Sequence, residues 1–161
     1  MGVTTYTQEF TTSVAANRMF KALMLDSHNL IPKLLPQSIK SIEYIQGDGG
    51  AGSIKQTNFP EGSPMKCLKH KIDLLDVENY KCKYTVIEGD ALDDKLESLS
   101  YEVKFEPTGN GCETKVTSIS YYHAKGGIEL KEEEMAAGKD KGMGMFKVVE
   151  DYLIANPDVY A

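Results

Sequence analysis

Residues 39–122 have the pattern of strands separated by turn segments, with clear alternation of apolar and polar side chains in two of them, and this feature constrains the fold more than any other. In residues 80–86 (YKCKYTV) the aromatic and apolar side chains occupy every second position, and residues 101–106 (YEVKFE) repeat the pattern. Such alternation is typical of antiparallel strands that have one covered face and one solvated face. Segments rich in Gly, Pro, Asn and Asp separate the alternating runs. The sequence therefore predicts six consecutive strands in an antiparallel sheet.

A strand and a helix are predicted before this region. Residues 3–11 are rich in Val, Thr, Tyr and Phe, which favours a seventh strand. In residues 13–25 (SVAANRMFKALML) the apolar side chains instead recur at helical spacing, so a helix follows the strand. Ser13 is the predicted N-cap of this helix, because a serine hydroxyl can accept a hydrogen bond from the first turn.

Two further helices complete the prediction. Residues 26–35 (DSHNLIPKLL) predict a second short helix that begins at Asp26 or Ser27 and ends before Pro36. Residues 129–155 predict one long helix, since apolar residues recur at spacings of three and four and glutamates in the first turns complement the helix dipole. The predicted fold class is α+β, in the order β-α-α-β₆-α.

The glycine-rich segment 45–55 (IQGDGGAGSIK) raises the question of a nucleotide site. A Walker-type phosphate loop needs a helix after the glycines and a closing Gly-Lys-Ser/Thr, and a Rossmann site needs a βαβ unit. Here strand-like sequence lies on both sides, which favours a hairpin connection whose glycines adopt positive φ angles. The residues of this glycine-rich loop are Gly47, Asp48, Gly49, Gly50 and Gly52.

Composition excludes several classes of function. A net charge of −6 disfavours nucleic acid as a partner. The cysteines, Cys67, Cys82 and Cys112, form no Cys-x-x-Cys pair, which argues against a zinc site and a disulfide framework. We also expect no other metal site and no cofactor. No apolar stretch is long enough to span a bilayer, and the first ten residues lack the pattern of a secretory signal. We therefore expect a cytoplasmic protein.

Four segments in order carry a family resemblance: EYIQGDGGAGSIK, YTVIEGDAL, YHAKG and LIANPDVYA. Together they resemble the birch major pollen allergen family, the plant pathogenesis-related class ten proteins of the START-like superfamily, over essentially the whole chain. The resemblance implies a single helix-grip domain over residues 1–161. In that fold a seven-stranded antiparallel sheet curls around a long C-terminal helix, two short helices form a V, and an apolar cavity lies inside.

The resemblance also implies a function. Members of the family bind flavonoids, cytokinins, sterol-like compounds and similar amphipathic plant metabolites or hormones, so a defence-linked carrier is expected, as a monomer or weak dimer. Three glycines within seven residues of the last helix, Gly138, Gly142 and Gly144, are consistent with room beneath it. Carried over by position, the pocket wall comprises Leu23, His28, Lys55, Phe59, His70, Cys82, Tyr84, Tyr101, Gly138, Lys141, Gly142, Met145 and Phe146.

Two enzymatic alternatives stay open at this point. Ribonuclease activity has been proposed for the family, and the resemblance would place it on Lys55, Glu150 and Tyr152; the acidic net charge argues against it. Some relatives are synthases of alkaloid biosynthesis that use a pocket lysine, and Lys115 and Lys125 lie in the corresponding region. A hormone-receptor function like that of the related abscisic-acid receptors is not favoured, because the sequence does not show the gating loops that characterise those receptors. Binding without catalysis is the preferred hypothesis.

Overall fold

The computed structural model describes residues 3–62, 66–89, 96–109, 113–126 and 132–160. Within these ranges it also describes the side chains, except those of residues 88–89, 132 and 134–143.

Seven strands form one antiparallel sheet. They are β1 (Val3–Thr12), β2 (Ser41–Gln46), β3 (Ile54–Asn58), β4 (Cys67–Asp76), β5 (Lys81–Gly89), β6 (Leu96–Pro107) and β7 (Thr114–Ala124). Their order across the sheet is β1-β7-β6-β5-β4-β3-β2, so every strand after β2 pairs with its predecessor and β1 closes on β7. The sequence predicts a seven-stranded antiparallel sheet with six consecutive strands, and the structure confirms it.

The helices also follow the predicted order. Helix α1 (Ala16–Phe20) continues into a π-helical turn (Lys21–Leu25), α2 spans Ser27–Leu34 and α3 spans Glu132–Ala155. Helix α2 ends before Pro36, as a proline disfavours helical backbone at the residue before it. Glu129, the predicted start of the last helix, lies outside the described residues.

The predicted N-cap of α1 was wrong. Ala15, not Ser13, occupies that position, and its carbonyl oxygen accepts hydrogen bonds from the backbone N–H groups of Arg18 and Met19, both at 3.1 Å. The chain first turns where the Thr12 hydroxyl accepts a hydrogen bond from the Val14 N–H at 3.2 Å. The helix therefore starts two residues later than the serine would allow.

The main core lies at one end of the molecule, between the sheet, α1 and the last turns of α3. Phe20 of α1 meets Phe105 of β6 edge-on, with ring centroids 5.9 Å apart. Val149 and Leu153 of α3 are fully buried in the same cluster. Burial of such side chains contributes about 1.5–3 kcal/mol each, and it fixes α3 against the sheet.

Arg18, the single arginine of the chain, binds the segment where α3 ends. Its guanidinium donates hydrogen bonds to the carbonyl oxygens of Leu153, Asn156 and Val159 at 2.9, 2.8 and 3.0 Å. Carbonyls at a helix C-terminus have no partner within the helix, so a cation there satisfies them and complements the dipole. Helix α1 thus holds the end of α3.

No helix in the described part of the chain is long and apolar enough to cross a membrane.

Candidate ligand-binding site

A row of polar side chains crosses the inner face of the sheet, one from each of four neighbouring strands. The residues of this polar row are Lys55 on β3, His70 on β4, Tyr84 on β5 and Tyr101 on β6. Lys55 is the register partner of His70, and the His70 and Tyr84 rings meet edge-on at 5.2 Å. Tyr84 pairs with Tyr101 in register, and their rings stack at 5.0 Å. The pleat points these side chains to the same side as the core.

The polar row is enclosed by protein, and this changes its acid–base properties. Burial, with a smaller contribution from the charge of Lys55, lowers the pKa of His70 to about 4, so its imidazole is neutral at pH 7. Burial also lowers the pKa of Lys55 and raises the pKa of Tyr84 and of Tyr101. The tyrosines are therefore neutral hydroxyls that can donate or accept a hydrogen bond.

Cys82 lies on the inner face of β5, between its register partners Leu75 and Val103. It is buried, with 4% of its surface exposed. Burial raises the pKa of its thiol to about 11, although the nearby Lys55 opposes the shift. A small, protonated thiol therefore stands beside the polar row.

Lys55 is held at one end of the row by uncharged groups. Its Nζ donates a hydrogen bond to Ser27 Oγ at 2.7 Å and lies 5.6 Å from the ring centroid of Tyr44. Ser27 begins α2 and Tyr44 lies on β2, so this contact joins the helix pair to the edge of the sheet. Tyr44 in turn meets the ring of His28 edge-on at 4.9 Å.

An open pocket of about 400 Å³ lies beside this end of the row. Its wall contains Leu25, His28, Tyr44, Asp48, Gly49, Gly50 and Leu75. Nδ1 of His28 is inaccessible to water and has no hydrogen-bond partner. The pocket thus lies between the start of α2, which contributes His28, and the glycine-rich loop, which contributes Asp48, Gly49 and Gly50.

The glycine-rich loop is a hairpin connection between β2 and β3, as predicted. Gly47, Gly49 and Gly52 have φ angles of +84°, +106° and +91°, which favour glycine. A Cβ on Gly47 would lie 2.3 Å from Ser53 Oγ, so the loop also needs glycine for close packing. Ser53 Oγ accepts a hydrogen bond from the Gly49 N–H at 2.9 Å, which orders the loop from within.

The remaining pocket-wall predictions fall around the main core. Leu23 is buried in it, and Phe59, Met145 and Phe146 pack against it. The Phe146 ring meets Phe10 edge-on at 4.8 Å. Three predicted wall positions on α3, Gly138, Lys141 and Gly142, have side-chain positions outside the described residues.

The residues of the ribonuclease hypothesis have separate partners. Lys55 binds Ser27, whereas the Glu150 carboxylate accepts a hydrogen bond from Lys147 Nζ at 3.0 Å. The Nζ atom of Lys33 lies 5.5 Å from the ring centroid of Tyr152. Glu150 also bonds to Thr12 on β1, and four strands separate β1 from β3 in the sheet order.

Sequence reasoning missed Tyr44, Leu25 and Leu75 as wall residues, and it did not connect Ser27 with Lys55. The local signal for Tyr44 was present, because it alternates with Ile42 along β2. The contacts themselves depend on pairing between distant segments, which no local pattern contains.

The fold is that of the helix-grip proteins, in which a seven-stranded antiparallel sheet lies against a C-terminal helix and is accompanied by two short helices. The sequence profile of the Pathogenesis-related protein Bet v 1 family matches residues 1–156, and the chain belongs to this family. It is similar to the pathogenesis-related protein STH-2 of Solanum tuberosum, with 59% identity over 100% of both chains. These findings identify a pathogenesis-related protein.

Solved structures agree with the family assignment. The crystal structure of Ara h 8.0201 matches with a TM-score of 0.87 and 34% identity, covering 96% of this chain and 100% of that one. Norcoclaurine synthase from Thalictrum flavum, in complex with dopamine and hydroxybenzaldehyde, matches with a TM-score of 0.74 and 22% identity over 96% of this chain and 88% of the synthase. That second likeness shows a shared fold alone.

Proposed function

We propose that this protein, as a single ligand-binding domain over residues 1–161, reversibly binds small amphipathic plant metabolites or hormones between the sheet and α3. Flavonoids, cytokinins and sterol-like compounds are the candidate classes. In a plant cell such binding would store or carry these compounds in the cytoplasm during defence.

The observation that carries the proposal is that the side chains of the polar row have shifted pKa values and yet are not fully buried. Protein atoms surround His70, Tyr84 and Tyr101 closely enough to shift the pKa of each, yet all three side chains keep part of their surface accessible. This combination supports a space beside the polar row rather than a completely packed core. Stacked aromatic faces with a few hydroxyls are the usual lining of a site for an amphipathic ligand.

Catalysis is less well supported by the described residues. Lys115, a candidate for the synthase reaction, forms an exposed ion pair with Glu9 at 3.2 Å, and Lys125 is exposed. General acid–base chemistry needs groups that converge on one reacting bond. Binding remains the function that the geometry favours.

Titration of a fluorescent apolar probe, anilinonaphthalene sulfonate, tests the proposal. We expect saturable binding that a flavonoid or cytokinin displaces. Tyr84→Phe and Tyr101→Phe each remove one hydroxyl from the polar row, so we expect the best ligand to bind roughly five- to tenfold more weakly. Tyr121→Phe is the matched control, since Tyr121 donates its hydrogen bond to Glu102 away from the row.

Two results would contradict the proposal. One is a probe signal that rises linearly without saturation in the wild type. The other is equal affinity loss in the Tyr121 control and in the two variants of the row, since that would mean the row does not contact ligand.

A further inference from the structure

Lys55 carries an amine whose surroundings differ from those of a surface lysine. Its Nζ has a neutral hydroxyl, Ser27 Oγ, as hydrogen-bond acceptor at 2.7 Å. Among the residues whose side chains are described, no carboxylate forms an ion pair with it. Burial lowers its pKa, so more of the amine is unprotonated near neutral pH than at an exposed lysine. An unprotonated buried amine is a nucleophile.

The Lys55 amine lies next to the open pocket, although Lys55 is not among the residues of the pocket wall. Tyr44 forms part of the pocket wall and also lies 5.6 Å, centroid to Nζ, from Lys55. The Lys55 side chain itself keeps part of its surface accessible. A small molecule in this pocket would contact Tyr44, which is itself a neighbour of the Lys55 amine.

The groups that face Lys55 are uncharged. They are Ser27 from α2, Tyr44 from β2, His70 from β4 and Cys82 from β5. The His70 imidazole is a neutral base, and the hydroxyls of Ser27 and Tyr44 can pass protons. Cys82 keeps its proton, so the thiol does not compete as a nucleophile.

We propose that Lys55 captures small aromatic aldehydes as a reversible imine; the inference rests on the proposed ligand-binding function and names one ligand class for it. The Nζ lone pair attacks the carbonyl carbon, and the carbonyl oxygen takes up a proton to give a carbinolamine. The nitrogen loses one proton to His70 or solvent, and the carbinolamine hydroxyl takes up a second proton from solvent. The C–O bond then breaks, water leaves, and the resulting iminium loses its remaining N–H proton to give the neutral imine. The C=N bond replaces C=O, and nothing is oxidised or reduced.

The walls of the site favour aromatic aldehydes over aliphatic ones. Tyr44 presents a ring beside the amine, and the stacked Tyr84 and Tyr101 follow along the row. Aromatic faces of this kind hold a planar ring by offset or edge-on contacts. Conjugation of the aldehyde with its ring also stabilises the resulting imine.

Reductive trapping tests the inference on the full-length protein. Limiting benzaldehyde with sodium cyanoborohydride at pH 6.5 converts any imine to a stable benzylamine, and peptide mapping by mass spectrometry then assigns the label. At this pH exposed lysines are almost entirely protonated. Because the pocket concentrates the aldehyde at one amine, we expect Lys55 to carry roughly tenfold more label than Lys115.

Two variants of Lys55 distinguish the effect of its nucleophilic amine from the effect of its positive charge. Lys55→Arg keeps a cation but cannot form an imine, and Lys55→Met removes both; each should lose the selective label. Lys115→Met is the matched control, since Lys115 forms its ion pair on the exposed surface, and it should leave Lys55 labelling unchanged. Benzyl alcohol, which lacks the carbonyl, should give no adduct.

The outcomes distinguish the inference from the function on which it rests. Equal labelling of Lys55 and Lys115 in the wild type would overturn imine capture, and saturable binding of anilinonaphthalene sulfonate in the same sample would leave the proposed function standing. Selective labelling without saturable probe binding would support capture at Lys55 and contradict the carrier function. Mapping of the wild type decides the question even if a variant fails to fold.

Discussion

His70 makes the stability of the protein depend on pH. Its pKa is about 4 in the folded protein, against an ordinary value of 6.5, because burial disfavours the imidazolium. A lowered pKa means that the folded state binds the proton less readily than the unfolded state. The stabilising contribution is therefore complete above pH 6.5 and disappears as the pH falls from 6.5 to 4.

We expect this histidine to remove roughly 2 kcal/mol from the free energy of unfolding between pH 7 and pH 4.5. Urea unfolding at both values measures it. His70→Phe should lose this part of the pH dependence, whereas His123→Phe, on β7, should retain it. Parallel pH profiles for the wild type and His70→Phe would show that His70 is not held neutral in the fold.

At the scale of elements, the end of α3 depends on one side chain of α1. Arg18 donates to three carbonyl oxygens at and beyond the end of α3, and no other side chain can replace its planar fork. We expect Arg18→Met to lower the free energy of unfolding by about 1–2 kcal/mol, since three carbonyl oxygens, two of them in part-buried hydrogen bonds, lose their donors. Arg18→Lys should recover a minor part. Chemical denaturation measures both, and a loss below about 0.5 kcal/mol for Arg18→Met would contradict this function of the arginine.

Substitution by alanine should change the stability of the protein in opposite directions at two glycines. Gly144 lies in α3 with open space where a Cβ would stand, so Gly144→Ala should stabilise the protein by about 0.5–1 kcal/mol. Gly47 has a φ of +84° and no room for a Cβ, so Gly47→Ala should destabilise it by more than about 1 kcal/mol. Thermal unfolding of both variants checks the pair, and a shift of the same sign in both would contradict the account.

The elements could be predicted from the sequence because each depends on a local pattern. Strict alternation predicted β5 and β6, and strand-like sequence on both sides of Gly47 predicted a hairpin rather than a phosphate loop. The N-cap at Ala15 was not predicted, because Ser13 and Thr12 both carry hydroxyls that suit such a turn, and the structure uses that of Thr12. The π-helical turn at Lys21–Leu25 likewise left no signal in the apolar spacing.

The candidate site could be predicted only in part, and the reason lies at the scale of the whole molecule. Lys55, His70, Tyr84 and Tyr101 were named singly from the family resemblance, but their order across four strands follows from the register of the sheet. Tyr44 lies next to the Lys55 end of the row because β2 folds back beside β3, which places Tyr44 opposite Lys55. Long-range pairing of this kind decides which side chains share a space.

The central claim is the proposal that a small ligand binds between the polar row and α3. A crystal structure of the protein grown with a saturating flavonoid or cytokinin, chosen by the displacement titration, tests it most directly. We predict electron density for the ligand beside Tyr84 and Tyr101, with a polar group of the ligand within hydrogen-bond distance of at least one hydroxyl of the row. A core filled by side chains at that place, or a ligand bound only on the outer face of the sheet, would contradict the claim.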